Sequence, residues 1–271
     1  MDVSTFIVTH ETTIRLSCFF GVLALVAGWE LLAPRRELRI SKAVRWVNNI
    51  GLVVLNSLIL RLLFPAAAVG VAVWAQSQQW GLFNLVEIPA VLSLIICVLL
   101  LDLAIYSQHV IFHKIPVLWR LHRVHHVDLD YDVTTGARFH PIEIILSMLI
   151  KFVLVCALGV PPLAVIVFEL ILNAAAMFNH GNIRLPKTLD RYMRWVLVTP
   201  DMHRVHHSSE RDETDSNYGF NLPWWDRLFG TYKAQPRAGH QGMSIGVKGY
   251  ENPKDTQWLI GLLVMPFRTK K

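Results

Sequence analysis

Two identical five-residue segments, H-R-V-H-H, occupy residues 122–126 and 203–207 and constrain the fold of this chain more than any other feature. A further pair of histidines, His109 and His113, precedes the first segment. On an α-helix, residues three and four positions apart share one face, so each segment presents its imidazoles to one side. The spacing therefore predicts that histidines distant in the sequence converge on a common site.

Eight imidazoles gathered in this way indicate a metal site. They cannot all be protonated, because like charges repel at short range, and without a ligand they would leave buried nitrogens unpaired. Neutral imidazole is a common metal ligand. Eight ligands are too many for one ion, so the sequence predicts two ions with about four ligands each. The alternative, unrelated core or surface histidines, does not explain the repeated spacing.

The composition is that of a membrane protein. Hydrophobic residues make up 53% of the 271 residues and charged residues only 17%, compared with about 25% charged in soluble domains. Stretches long enough to cross a bilayer, or nearly so, are 14–33, 50–75, 88–106, 142–158 and 161–178. The last two are expected to form a helical hairpin that either spans fully or is re-entrant. The apolar residues 257–267 are too short to span and should lie in the interface or pack on the cap.

The charge distribution predicts the orientation. Five basic residues lie between positions 35 and 45, whereas the loop at 76–86 carries no Lys or Arg. Basic loops face the cytoplasm, so the histidines should be cytoplasmic and the N-terminus should lie on the opposite side. The net charge of +6 then reflects these loops, and no basic run with interleaved aromatic residues indicates nucleic-acid binding. Arg61, inside the second span, has a function, snorkels to the interface, or lies where the helix is irregular before Pro65.

The whole histidine pattern resembles one known family. The order is H-x3-H, H-x2-HH, F-x-H-x-N at 178–182 and H-x2-HH, followed by N-Y-G at 217–219 and W-D-R-L-F-G-T at 225–231. With D-x3-Y at 102–106, P-x-L-W at 116–119 and T-T-G-x-R-F-H-P at 134–141, it resembles the fatty acid hydroxylase/sterol desaturase superfamily of integral-membrane di-iron oxygenases. The resemblance covers about residues 95–235.

This resemblance implies the fold and the domains. We expect an all-α polytopic transmembrane helix bundle, with four or five membrane helices including the hairpin, and a cytosolic His-rich helical cap. Residues 1–90 would form the N-terminal transmembrane helices, 91–235 the di-iron domain, and 236–271 a C-terminal tail with an interfacial segment.

The resemblance also implies the ligands of two iron ions. They are His109, His113, His122, His125, His126, His180, His203, His206 and His207. Where some members have a second histidine a turn after the one at position 180, this chain has Arg184, so Asn182 or water would complete that position. Two residues have alternative roles. Asp102 either orients a ligand histidine or pairs with an arginine. His140 either supports the site or a helix start, or is itself a ligand. His10 and His240 belong to no box and are expected on the surface.

The predicted chemistry is oxidation of a lipid. The H-E-x-x-H motif of many zinc hydrolases is absent from the sequence. Two redox-active irons could instead use O2 and two electrons to hydroxylate or desaturate an unactivated C–H bond. The sequence has no haem-binding C-x-x-C-H and no Gly-rich dinucleotide fingerprint. A separate ferredoxin, cytochrome or reductase is therefore expected as electron donor. A compact chain without a fused donor domain indicates a bacterial inner-membrane enzyme, with the endoplasmic reticulum as the alternative location. A polytopic metal transporter and an inactive scaffold are the alternative interpretations.

Overall fold

The computed structural model describes residues 3–268, and in that range the regular secondary structure consists of helices and two isolated β-bridges. The first six are α1 (Val3–Thr9), α2 (Glu11–Leu32), α3 (Lys42–Leu63), α4 (Ala67–Ser77), α5 (Leu82–Leu85) and α6 (Ala90–Lys114). The central three are α7 (Pro116–His126), α8 (Pro141–Leu158) and α9 (Pro162–Asn179). Short helices follow: α10 (Lys187–Met193), α11 (Pro200–His206), α12 (Arg211–Thr214), α13 (Trp224–Leu228), α14 (Gly239–Gly242), α15 (Pro253–Thr256) and α16 (Leu259–Val264). The predicted all-α class is confirmed.

Within the described residues, five helical segments are long and apolar enough to cross a membrane, which confirms the predicted polytopic bundle. They are Glu11–Leu32, Lys42–Leu85, Ala90–Lys114, Pro141–Leu158 and Pro162–Asn179. The third of them continues eight residues beyond the predicted end at 106 and carries His109 and His113 on its last two turns.

The second span, predicted over 50–75, is interrupted at Pro65, in agreement with the alternative of an irregular helix at that point. The helix begins at Lys42 and stops before Pro65, after which α4 starts afresh. Proline cannot continue the hydrogen-bond ladder, and it forces the preceding residue out of the helical region. Phe64 accordingly has φ −133° and ψ 69°. The apolar stretch is therefore two helices, α3 and α4, joined by a break.

The predicted hairpin is formed by α8 and α9. Gly159 ends α8 with φ 68°, a left-handed conformation that glycine adopts without steric cost. Pro162 then starts α9 at the first helical position, where a missing N–H does no harm. Helices α4 and α6 each pack against both arms. The core between them is built from small and apolar side chains that are at most 2% exposed, among them Ala72, Cys97, Leu101, Ala164 and Phe168.

Five helix ends meet at one end of the bundle, which we call the histidine end. The end of α2 is joined to the segment after α9 by the Pro34–Ile183 bridge. The first turn of α3 contacts the segment after α7 through Arg45, and α7 contacts the first turn of α8 through a His122–Glu143 hydrogen bond. Because α6 also ends here, the connections after α6, α7 and α9 all lie on one side of the bundle.

The C-terminal apolar segment packs on the cap and also presents apolar side chains outward. Leu262 and Met265 are buried against Leu52 of α3 and Val124 of α7. Ile260, by contrast, is 77% exposed. One face of α16 therefore packs on the cap, whereas the interfacial position of residues 257–267 stays a prediction.

A fully buried ion network holds α3 to the loop that follows α7. Arg45 donates from Nε to Asp128 Oδ1 at 2.9 Å and from Nη2 to Asp128 Oδ2 at 2.7 Å. It also donates to Asp132, and none of the three side chains is exposed. Burial raises the pKa of Asp128, but the charges of Arg45 and Arg138 outweigh this and bring its pKa to about 2. Both partners are therefore charged inside the protein.

Replacing Arg45 by leucine should destabilise the fold strongly. The variant leaves two buried carboxylates without their cation, and breaking a buried ion pair in this way costs about 3–5 kcal/mol. Thermal or denaturant unfolding of the detergent-solubilised protein measures the effect. Arg61→Leu is the control, since Arg61 is exposed and has no ion pair among the described residues. Equal stability of the two variants would contradict the role assigned to Arg45.

Candidate metal centre

All nine histidines predicted as ligands lie together at the histidine end of the bundle. His109 and His113 come from α6, and the first box comes from α7. His180 follows α9, and the second box comes from α11 and the residue after it. Helix α11 is started by Pro200 and by the Thr199 hydroxyl, which accepts from the Met202 N–H. Each of the nine imidazoles is at most 4% exposed.

The nine histidines divide into two groups. The five-histidine group consists of His109, His113, His122, His126 and His206, and the four-histidine group of His125, His180, His203 and His207. Within each group the candidate ligand atoms lie within 4.8 Å of one another. The sequence predicted about four ligands for each ion, and the structure brings together five and four.

Each H-R-V-H-H box contributes to both groups. In the first box the i, i+4 pair His122 and His126 belongs to the five-histidine group, and His125 belongs to the other. In the second box the assignment is reversed: His203 and His207 belong to the four-histidine group, and His206 belongs to the five-histidine group. The doubled histidine at the end of each box thus places neighbouring rings in different groups.

The nitrogen spacing fits bound metal ions. In the five-histidine group, Nε2 atoms lie 2.9 Å apart for His206 and His109 and 3.1 Å apart for His113 and His126. In the four-histidine group, Nε2 of His180 lies 3.1–3.2 Å from three other Nε2 atoms. Metal–imidazole bonds are about 2.1 Å long, so two ligands at right angles would be about 3.0 Å apart. The observed separations agree with that value.

Hydrogen bonds at Nδ1 fix which ring nitrogen points inward. An imidazole that donates from Nδ1 keeps the lone pair on Nε2 free for a metal. Four rings donate to acceptors 2.6–2.7 Å away: His109 to Tyr218 O, His180 to Ala176 O, His206 to Ser216 O and His122 to Glu143 Oε1. Neutral rings with their Nε2 lone pairs facing each other would repel, and cations between them remove that repulsion.

The N-Y-G and W-D segments hold the carbonyl that orients His109. Asp226 accepts hydrogen bonds from the backbone N–H groups of Tyr218 and Gly219, each at 2.8 Å. Asn217 has φ 50°, a conformation that asparagine tolerates better than most residues. This turn aims the Tyr218 carbonyl at Nδ1 of His109. Asp226 and Asn217 therefore support the site through the backbone without touching a candidate ligand atom.

Burial keeps these imidazoles neutral. It lowers the pKa of His122 and that of His180 to about 3 each. Burial, together with the proximity of other histidines, also lowers the pKa of five more rings well below the ordinary value. These are His125, His126, His203, His206 and His207. Neutral imidazole is the form that binds a metal ion.

Aromatic rings cover the two groups. Phe139 stacks on His125 with ring centroids 4.5 Å apart. Phe220 contacts both groups, with its centroid 5.0 Å from that of His109 and 5.6 Å from that of His203. Trp119 lies 4.8 Å from His113. The histidines are thus enclosed by apolar surfaces that exclude water. Electrostatic interactions are stronger in such surroundings, because the dielectric constant is lower than in water.

The three residues suggested as supports form their hydrogen bonds elsewhere. Asp102 accepts from Trp225 Nε1 at 2.7 Å. His140 caps α8 by accepting from the Ile142 N–H, and the side chain of Asn182 bonds to the backbone of Arg36. Among the described residues, none of the three hydrogen-bonds to a candidate ligand, so their suggested roles stay predictions.

One surface assignment was wrong. His240 is only 5% exposed and its Nε2 lies 3.6 Å from Asp201 Oδ2, because the segment around α14 folds over α11. His10 is exposed, as expected. Sequence reasoning also missed Glu143, the acceptor for His122. Its signal is a single acidic residue in the first turn of an otherwise apolar stretch, P-I-E-I-I-L.

Comparison with known proteins identifies related sequences. The model of the fatty acid hydroxylase family matches residues 94–231, half of the chain. The chain is 29% identical over 205 residues to an alkylglycerol monooxygenase from Xenopus tropicalis, covering 75% of this chain and 45% of that protein. It is 26% identical over 267 residues to an ornithine lipid hydroxylase from Rhizobium tropici, covering 93% and 75%.

A third relative is a cholesterol 25-hydroxylase from Rattus norvegicus, 26% identical over 226 residues, with 81% of this chain and 72% of that protein covered. The chain spans less than half the length of the alkylglycerol monooxygenases that it matches. No solved structure matches it significantly.

Removing the Glu143 carboxylate should weaken one group only. Glu143→Ala deprives His122 of its Nδ1 acceptor, and losing such a partner typically lowers metal affinity by about 10–100-fold. Competition with a chelator, followed by metal analysis, should show one weakened and one unchanged site per chain. Glu87→Ala at an exposed position is the control. A loss of affinity at both sites, or at neither, would contradict this arrangement.

Acid should destabilise the metal-free protein. Between about pH 6.5 and about pH 3 the unfolded chain protonates histidines that remain neutral when folded, so unfolding takes up protons and stability falls as the pH falls. Each such histidine contributes up to about 1.4 kcal/mol per pH unit. Unfolding midpoints measured with chelator at about pH 7.5 and about pH 5.5 test this. Identical midpoints would show that the imidazoles are not buried in the neutral form.

Proposed function

The chain belongs to the fatty acid hydroxylase family, and from this premise we propose that it is an integral-membrane monooxygenase that hydroxylates a lipid. The observation that carries the proposal is the pair of buried histidine groups at one end of an apolar helix bundle. A site in this position lies close to lipids that occupy the same side of the membrane. The names of the relatives, which are monooxygenases and hydroxylases, favour hydroxylation over desaturation.

The proposed cofactor is a pair of iron ions, one in each histidine group. Imidazole-rich sites suit iron, and bound iron supplies the redox chemistry that reduces O2 and oxidises a C–H bond. The overall reaction balances as one O2, two electrons and two protons per C–H converted to C–OH, with release of one water. The chain's own part is to hold the imidazoles neutral and correctly oriented, and to exclude water with Phe139, Phe220 and Trp119.

The two electrons would come from a separate protein. The sequence contains neither a C-x-x-C-H haem motif nor a Gly-rich dinucleotide fingerprint. A ferredoxin, a cytochrome or a reductase would therefore dock from outside. Such a donor can reach the site only if the histidine end faces the compartment that contains the donor.

The proposed orientation places the histidine end in the cytoplasm. Arg35, Arg36 and Arg39 lie in the connection between α2 and α3, at the histidine end, and Lys42 begins α3. The connection between α4 and α6, at the opposite end, contains no Lys or Arg. Basic connections face the cytoplasm in multi-pass proteins. We place the chain in the bacterial inner membrane.

The alternative, a metal transporter without oxygenase activity, fits this arrangement less well. Transport sites usually lie near the middle of the membrane, between helices that can open to either side. Here the histidines cluster at the ends of the spanning helices and are closed off by aromatic side chains. A catalytic centre accounts for these features better.

Loss of one ligand from either group should abolish activity. His125→Ala affects the four-histidine group and His206→Ala the five-histidine group, so each variant should lose about half of its bound iron and all lipid hydroxylation. Lipid mass spectrometry on cells with and without the protein should show one lipid class gaining a single oxygen atom.

His10→Ala is the control, because His10 is an exposed histidine outside both groups. Full iron content and turnover in either ligand variant would refute the assigned site. If the protein holds two irons but changes no lipid, the monooxygenase proposal is wrong, and a transporter or an inactive relative remains as the interpretation.

A further inference from the structure

An apolar groove runs along the outside of the bundle between α6 and α8. It encloses about 680 Å³, a volume within the range of binding pockets for small molecules. One wall is the ladder Leu146, Ile150, Leu154 and Leu158, spaced four residues apart on one face of α8. The other wall comes from α6, from Leu100 to Phe112. No other function has been assigned to this surface.

The groove ends next to the five-histidine group. At the histidine end it is closed by Phe112 and Leu118. The Phe112 ring is buried and lies 6.1 Å, centroid to centroid, from His122. A single aromatic side chain thus separates the groove from a candidate metal ligand.

The groove is about as long as one leaflet of a bilayer. The helix rises about 18 Å over the twelve steps from Leu100 to Phe112, and half of a hydrocarbon core measures about 15 Å. Leu100 lies near the middle of α6, a helix long enough to span the membrane. A lipid in the leaflet on the histidine side could therefore enter sideways with its head and tail already in the right order.

The distribution of polar side chains supports the same direction. Ser107 and Gln108 line the part nearer the histidine end, where Gln108 donates to the Ser147 hydroxyl at 3.1 Å. The far part, by contrast, is lined by leucines at 100, 154 and 158. Polar groups of a lipid belong near the first part, and the end of its hydrocarbon chain belongs near the second.

We propose that this groove binds one acyl or alkyl chain of a membrane lipid, with the methyl end toward the bilayer centre. The predicted position of hydroxylation, described next, rests on the proposed function. Carbons close to the polar headgroup lie nearest the histidine groups, so hydroxylation should occur at the headgroup side of the chain and not at its methyl end.

Photo-crosslinking of the full-length protein in nanodiscs tests the groove without requiring turnover. The probes are two phosphatidylethanolamines whose palmitoyl chain carries a diazirine either next to the carboxyl group or near the methyl end. We expect the methyl-end probe to label the region of Leu100, Leu154 and Leu158, and the carboxyl-side probe to label the region of Phe112 and Leu118. The reverse pattern would overturn the orientation, and labelling confined to other helix faces would overturn the groove.

Leu154→Trp fills the far half of the groove and should abolish labelling by the methyl-end probe. Val153→Trp is the matched control, because Val153 is the preceding residue, is 67% exposed and does not line the groove. Equal loss in both variants would show that the effect is not specific to the groove. The labelling map of the unmodified protein decides the question if Leu154→Trp does not fold.

Failure of this inference is distinguishable from failure of the proposed function. If the probes label the groove as expected but the iron-loaded protein hydroxylates no lipid, the groove stands and the monooxygenase does not. If a lipid is hydroxylated at the methyl end of its chain, or if the methyl-end probe labels residues outside the groove, the groove assignment is wrong although the enzyme is real.

Discussion

The mutual repulsion of facing imidazole lone pairs is the constraint on which the rest of this structure depends. Four of the nine rings donate from Nδ1 to fixed acceptors. Two of these four, His206 and His109, face each other with their Nε2 atoms 2.9 Å apart, so two lone pairs meet. A cation between such rings removes the repulsion. The Nδ1 acceptors, the aromatic side chains around the histidines and the Arg45–Asp128 network hold the imidazole rings in place against this repulsion.

The division of the histidines into five and four follows from helix geometry. A box of the form H-x2-HH has an i, i+4 pair on one face, and its middle histidine lies about 100° around the helix from the last one. Two such boxes facing each other serve two sites, each giving a pair to one and a single ring to the other. His180 stands alone where a second histidine could follow at position 184, and Arg184 occupies that place. The two groups are therefore not equivalent, and the four-histidine group is the one with fewer protein ligands.

Features that belong to a single helix could be predicted from the sequence, whereas contacts between segments distant in the sequence could not. Spacing of three and four residues identified the boxes, and apolar length identified the spanning helices, because both are properties of a single helix. The break at Pro65 is also a local signal, because proline cannot continue a helix. Glu143, the Tyr218 carbonyl and the burial of His240 depend on which segments meet in space. A backbone carbonyl has no sequence signature at all, so three of the four Nδ1 acceptors could not be identified beforehand.

The position of the site at the end of the spanning helices separates the chemistry from the choice of lipid. The histidine boxes, and the segments that brace them, such as Asp102 with Trp225 and Asp226 with Tyr218, lie within the region matched by the family. The relatives are nevertheless named for an alkylglycerol, an ornithine lipid and cholesterol. Leu146 and Leu154 line the groove between α6 and α8 and belong to none of the quoted motifs. In the proposed binding mode a lipid chain lies along these side chains, so differences in their size would change the lipid that is accepted without replacing a histidine or one of its hydrogen-bond partners.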